Sequence, residues 1–494
     1  MSRKGICREM ELEERAVRAG AGYTVGNYLI KGLSFLAVPV FTRLMSTADF
    51  GTFGTFSALE SILYLPAGLA LHTSFKNAWA RCGEDRGRYE TYVSEAVRVI
   101  LMIGCAALAA TVVLRQPLER LIGLPLPVLL LLVVYSSGAA VLSCSYADAS
   151  LYYDYRKYLL LSGAYSAGSI VFSLILILTV FHDQRATGRI LGAVIAMTLP
   201  AAVSAVEMLS RGREARREDE EWQSGEERHS GMLRWGLRLS IPTIPNGISQ
   251  IILAEFDRIL IARLCPAQEA GIYTMAFHVF TIGSVAAQSL ENVWYPWSFE
   301  KFRNGTQHEV RRGAGFCIFL LAAVYSILML LVPEIVRVMG GAAYLDAVPA
   351  AIPMLAGGFF ASLYVLPSAW EFYREKTASA AILTCICAAV NIIADWLVIP
   401  RFGYLAAAYV TFGCYVLFFL LHLLHVHKLG GGRLVSGPEL AAGCACVLAA
   451  ALVSVLLREH TAVRILLAIA AVCGAGAALY SKKAFGGFGN RKSM

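Results

Sequence analysis

Long apolar runs separated by short polar breaks cover almost the whole 494-residue chain. A helix needs roughly 20 mainly apolar residues to cross the hydrocarbon core of a bilayer. About fourteen runs reach that length, from 22–43, 53–74 and 93–114 at the start to 439–457 and 463–481 at the end. The pattern predicts an all-α polytopic membrane protein with about 14 transmembrane helices. Two of the breaks share one motif, 220 residues apart. Arg43-Leu44, four residues, Asp49, one residue, Gly51, one residue and Phe53 match Arg263-Leu264, Glu269, Gly271 and Tyr273 in the same spacing. Each copy lies between two apolar runs and reads as the tight turn joining a helix pair. Repeats recurring in one order are how many transporters are built, with substrate held between the halves.

The repeat divides the chain. Residues 1–209 form an N-terminal lobe with a cytoplasmic lead-in, and 210–237 form a charged inter-lobe linker. Residues 238–428 form a C-terminal lobe, and 429–494 hold two further helices and a tail. The linker's mixed charges suit a solvated helix or tether. The segment near 238–262 opens with Pro242, Pro245 and Gly247, which predicts a bent or broken helix. The last two segments are rich in Ala, Gly and Cys, so neighbours can approach closely.

Composition agrees with the pattern. Hydrophobic residues make up 57% and charged residues 16%, against about a quarter charged in soluble domains. The net charge of +8 matters less than its placement. With the N-terminus inside, most of the 43 Lys and Arg fall on the cytoplasmic side, which fixes both termini inside and supports an even number of crossings. The basic balance is therefore topology, not a nucleic-acid footprint. Glu11, Glu13 and Glu14 precede any apolar run, which argues against a cleaved signal peptide. The twelve cysteines offer no disulfide framework. Cys385 with Cys387, and Cys444 with Cys446, point to different helix faces and cannot clamp a metal alone. No nucleotide or metal motif is present, and no cofactor is expected; Gly430-Gly431-Gly432-Arg433 lacks the Lys-Ser/Thr ending of a phosphate loop.

A charge deep in a bilayer costs about 2.5–3.5 kcal/mol even on the mildest scale, so intramembrane ionisable residues are functional candidates. Lys31 lies mid-segment, far from either interface, with Asn27 one turn earlier on the same face. The seventh segment carries Asn246, Gln250 and Asp257 as one polar stripe, with Arg258 beside it and able either to pair with Glu255 or to snorkel outward. Glu60, Glu291 with Gln288, and Asp395 with Asn391 could relay a cation or proton, contact substrate, or tie helices together. His72 lies beside the basic stretch that holds Lys76.

At these residues the chain resembles bacterial oligosaccharide flippases of the multidrug/oligosaccharidyl-lipid/polysaccharide exporter superfamily. The resemblance rests on Gly26-Asn27-Tyr28-Leu29-Ile30-Lys31-Gly32, Pro39 to Leu44, Asp49-Phe50-Gly51, Gly68 to Asn77, Ile244-Pro245-Asn246-Gly247 and Asp257 to Ile261. It implies two repeated six-helix lobes around a central cavity plus two C-terminal helices. It also implies a bacterial plasma-membrane protein that moves a polyprenyl-pyrophosphate-linked oligosaccharide to the outer leaflet for surface-polysaccharide assembly. The head group would meet cavity cations, the role that Lys31 and Arg258 could fill, with Asn27, Asp257, Asn246 and Gln250 around them. Glu60, Glu255, Glu291, Asp395 and His72 are left for coupling or gating. Membrane lipids, a polysaccharide polymerase and glycosyltransferases are the implied partners, and the protein itself is not expected to be an enzyme. A cation-coupled multidrug exporter of the same superfamily is the alternative, favoured by Glu60 and opposed by Lys31. A membrane polymerase or glycosyltransferase would need a large external loop, whereas every outer connection is short.

Overall fold

The computed structural model describes residues 22–480 apart from 23, 24, 34, 84, 223–226 and 433. The acidic lead-in of Glu11, Glu13 and Glu14, and the tail beyond 480, lie outside the described residues. All regular structure among the described residues is helical. The helices are α1 (Val25–Leu44), α2 (Thr47–Ala67), α3 (Phe75–Cys82), α4 (Arg86–Val113), α5 (Arg115–Ile122), α6 (Leu126–Leu151), α7 (Tyr155–Thr179), α8 (Arg185–Trp222) and α9 (Glu227–Ser240). They continue as α10 (Ile244–Leu264), α11 (Ala267–Arg303), α12 (Gln307–Gly340), α13 (Val348–Leu363), α14 (Val365–Tyr373), α15 (Thr377–Phe402), α16 (Tyr404–Lys428), α17 (Gly437–Leu456) and α18 (Thr461–Tyr480). Among the described residues, 11 helical stretches are long and apolar enough to span a membrane, and α2 with its continuation to Cys82, bent by 52°, would make 12. The predicted segments near 238–262 and 463–481 correspond to α10, which carries Glu255, Asp257, Arg258 and Arg263, and to α18, whose apolar part is short.

The polar breaks work as helix caps. Asp85 and Asp154 accept the backbone N–H groups of Arg88 at 2.9 Å and Lys157 at 3.0 Å, starting α4 and α7. The first repeat turn is a capping box: Asp49 N–H donates to Ser46 Oγ at 3.1 Å, and Ser46 N–H donates back to the Asp49 carboxylate at 3.3 Å. The second copy has Pro266 at the equivalent cap, which has no N–H to return the bond. The predicted break at the prolines is a 3-10 turn, Ile241–Thr243, between α9 and α10.

The chain divides into two compact units, residues up to Met45 with Thr52–Ile251, and Ser46–Gly51 with Ile252 onward. In the first unit α8 packs along α4, α6 and α7. It comes close to α7 at Gly192, where a Cβ would lie 2.4 Å from Ser173 N, the end of a buried α7 stripe of Ser162, Ser166, Ser169 and Ser173. Of the two forms the charges suit, residues 210–222 take the helical one, as a continuation of α8. Arg211 and Arg216 reach Asp148 at 2.5 Å and Glu95 at 2.6 Å, so the basic residues of this stretch staple the first unit.

In the second unit the turn Ser46–Gly51 packs on the start of α11. A Cβ on Gly51 would meet Gly271 N at 2.6 Å, and one on Gly271 would meet Thr47 O at 1.8 Å. The shared glycines of the two motifs therefore touch, and each lacks room for a side chain. The last two helices rest on α12. Ser454 Oγ donates to Met329 O at 2.8 Å, and Arg464, 1% exposed, holds Glu334 at 2.7 Å and Leu330 O at 3.1 Å.

Candidate functional site

In the first unit, α1 carries Lys31 on an exposed face and Asn27 half-buried, with Asn27 Oδ1 accepting the Tyr158 hydroxyl at 2.6 Å. Glu60 is half-buried on α2, and His72 is half-buried in the 3-10 turn Leu71–Ser74. Asn246 is half-buried and Gln250 exposed at the start of α10.

Sequence reasoning missed a second cation in this unit. Arg189 lies at the outer edge of a weakly apolar segment, where it passes for an interface residue. Its Nη1 donates to Ser169 O at 2.8 Å, Ser169 Oγ at 3.0 Å and Ser173 Oγ at 2.8 Å. The guanidinium sits over Phe41 at 4.0 Å and Phe53 at 4.4 Å, an aromatic cage suited to a desolvated cation. A cavity of about 690 Å³ in the same unit is lined by Trp79, Arg86, Asp148, Tyr152, Lys157 and Arg211 among others. Its inner charges largely satisfy one another, through Lys157 to Glu207 at 2.6 Å and Arg211 to Asp148.

The second unit gathers a denser group. Asp257 in α10 is buried; its Oδ2 accepts the hydroxyls of Tyr273 from α11 and Thr411 from α16, the latter at 3.0 Å. Its Oδ1 accepts the Arg258 N–H at 2.8 Å. Asp395 and Asn391, one turn apart on α15, are buried as well, and Asp395 lies within electrostatic reach of Asp257. Both carboxylate oxygens of Asp395 and both amide atoms of Asn391 have no hydrogen-bond partner. The Arg258 guanidinium bonds Glu255 and covers the Phe277 ring at 4.0 Å, so its charge acts on Asp257 only through space, without a side-chain hydrogen bond to it. Read from the sequence, Asp257 is a cavity residue and Asp395 a relay; in the fold they belong to one cluster inside the second unit. Glu291 stands elsewhere on α11, exposed and near Tyr295.

Buried charges must be paired or bind a cation, and buried polar atoms without partners are costly. Two carboxylates, an amide oxygen and a hydroxyl form an all-oxygen donor set, which suits a hard cation rather than a thiophilic metal. Among the described residues no group of three or more His, Cys, Asp or Glu is arranged to hold a metal ion. The set fits a monovalent cation, or a proton on one carboxyl.

Comparison with known proteins follows the same lines. A family model described as polysaccharide biosynthesis protein matches residues 17–302. A search of curated sequences finds no match. Among solved structures, the lipid II flippase MurJ in an inward closed conformation is similar with a TM-score of 0.70 and 13% identity, covering 93% of this chain and 99% of that one. An inward-facing multidrug resistance MATE family transporter of the MOP superfamily gives 0.58 at 14% identity, covering 81% and 95%. A single-residue mutant of the Vibrio cholerae MATE transporter VcmN gives 0.53 at 14% identity, covering 84% and 98%. At such identities the likeness is one of fold.

Proposed function

Because the chain belongs to the polysaccharide biosynthesis protein family, we propose that it is a flippase carrying a polyprenyl-pyrophosphate-linked oligosaccharide from the inner to the outer leaflet. The observation that carries this reading, beside the family, is Lys31, an exposed cation in the middle of the largely apolar α1, twelve residues from Arg43 at its end. A pyrophosphate cannot cross hydrocarbon unaided, because an unpaired buried charge costs far too much. A cation at mid-depth lowers that barrier while the prenyl tail stays in lipid. On this reading the chain crosses a bacterial plasma membrane fourteen times, with both termini cytoplasmic, as two six-helix lobes (residues 1–209 and 238–428) and two added helices. Lys31, Arg258 and Arg189 supply positive charge; Asn27, Asn246 and Gln250 supply hydrogen bonds. A monovalent cation at Asp257, Asn391, Asp395 and Thr411 couples the movement, and Glu60, Glu255, Glu291 and His72 serve gating. The head group must be bound more tightly in the occluded state than in either open one, or binding would shift nothing.

Lys31→Ala is expected to lower surface-polysaccharide export by about 10–100-fold, the worth of one charge-assisted contact of roughly 1.5–3 kcal/mol. Full export by a normally inserted variant removes Lys31 from the mechanism. Deletion of the gene followed by lipid extraction tests the cargo. Build-up of one lipid-linked glycan supports the flippase. Unaltered lipid-linked pools with raised drug sensitivity support the second reading, a cation-coupled multidrug exporter, which Glu60 on α2 favours.

A further inference from the structure

The second unit holds an ionisable cluster to which the proposed function gives no role. Glu371 in α14 is 0% exposed, and both its oxygens lie 2.9 Å from His422 Nδ1. His425 Nδ1 reaches the same carboxylate at 2.7 Å. His422 is 0% exposed and its Nε2 has no partner, whereas the His425 side chain keeps 17% exposure. The rings of Tyr364 and Phe418 close on His422 at 4.6 and 4.7 Å. From α11 come Tyr295, whose hydroxyl shares a 2.9 Å hydrogen bond with Ser368, and Glu291 beside it. Between Thr377 and Ala394, α15 offers no charged residue, only Cys385 and Cys387 as titratable groups, and Arg374 lies against Trp370 at 5.8 Å. Among the described residues no Lys or Arg forms an ion pair with Glu371.

The charge balance is the argument. With both imidazoles neutral, each can donate Nδ1–H to the carboxylate, but a net negative charge stays buried at a cost of several kcal/mol. One added proton makes an imidazolium–carboxylate pair and removes the net charge. That proton cannot rest comfortably on His422, since its Nε2–H would be a buried donor without an acceptor. His425 has the exposed edge. The nitrogen–oxygen separations are direct hydrogen bonds, with no gap for a metal between the groups. We infer that Glu371, His422 and His425 form a proton-binding site that takes one proton through His425. Thr411 lies eleven residues earlier on the same α16, about 17 Å along the axis at 1.5 Å per residue. If the cation cluster acts as proposed above, the proton and the cation act on one rigid helix; the proton site itself does not depend on that reading.

The test is NMR of the full-length protein, labelled with ¹⁵N-histidine, in lipid nanodiscs from about pH 5 to 9. Signals are assigned with H422Q and H425Q. In the wild type His425 should carry the imidazolium, and its deprotonation should move the His422 signal in the same step. E371Q should abolish that joint step. H425Q changes a partly exposed position and should leave His422 neutral across the range, so it decides the matter even where E371Q does not fold. Two neutral histidines down to about pH 5, or two that titrate without affecting one another, overturn the proposal. Neither result depends on transport, so the outcome stands apart from the flippase reading.

Discussion

Asp395→Asn is expected to weaken binding of the proposed coupling cation by about 10²–10³-fold. Removing one member of a buried charged cluster typically costs about 3–5 kcal/mol, and each 1.4 kcal/mol is a factor of ten. Asp395 is 0% exposed and neither carboxylate oxygen has a hydrogen-bond partner, so its charge has little to do except meet a cation or a proton. A cation that binds only the folded protein stabilises it in proportion to the logarithm of its concentration. The wild type should therefore unfold at rising temperature as NaCl replaces an equal concentration of N-methylglucamine chloride, and the variant should lose that rise. In cation-free buffer at a pH high enough to ionise both carboxyls, the variant should be the more stable of the two, because Asp257 no longer faces a like charge. Equal salt responses in both proteins would remove the cluster as a cation site.

The other large effect is expected at the contact of the repeat turns. Gly271→Val places a Cβ 1.8 Å from the carbonyl oxygen of Thr47, a backbone atom that cannot swing aside. Overpacking commonly costs 1–3 kcal/mol where side chains can yield. Here whole backbone segments must separate, so the loss should reach or pass about 3 kcal/mol. Gly51→Ala, meeting Gly271 N at 2.6 Å, should show a smaller loss of the same kind. Gly163→Ala is the control: nothing lies within 4 Å of its Cβ, and a mid-helix glycine gains about 1 kcal/mol on becoming alanine. Thermal unfolding in detergent ranks the three. A Gly271→Val protein as stable as the wild type would mean that the two turns are not held together.

Much of this was legible in the chain. The apolar runs marked the helices, and Pro242 with Pro245 marked the broken entry to α10, because proline cannot supply the missing N–H wherever it stands. The i,i+4 pair Asn391 and Asp395 was visible as one polar face. What could not be read was its partner: Asp257 lies far away in sequence, and no local period records which distant helix a face will meet. Tyr273 and Thr411 look like an interface aromatic and an ordinary helix threonine until the fold brings them to Asp257. Glu371, His422 and His425 escaped for a related reason. They sit near helix ends, where histidine is expected simply to complement the helix dipole. Arg211 and Arg216 passed for the charges of a solvated helix or tether because their acids, Asp148 and Glu95, lie on other helices.

The clasp at Arg464 has a practical corollary. The guanidinium joins the backbone of α12, the Glu334 carboxylate and the carbonyl of Leu457, so α17 and α18 are fastened chiefly to one helix. They are riders on α12. A fluorophore at exposed Cys473 on α18 would then report the displacement of α12 from a position outside the candidate site.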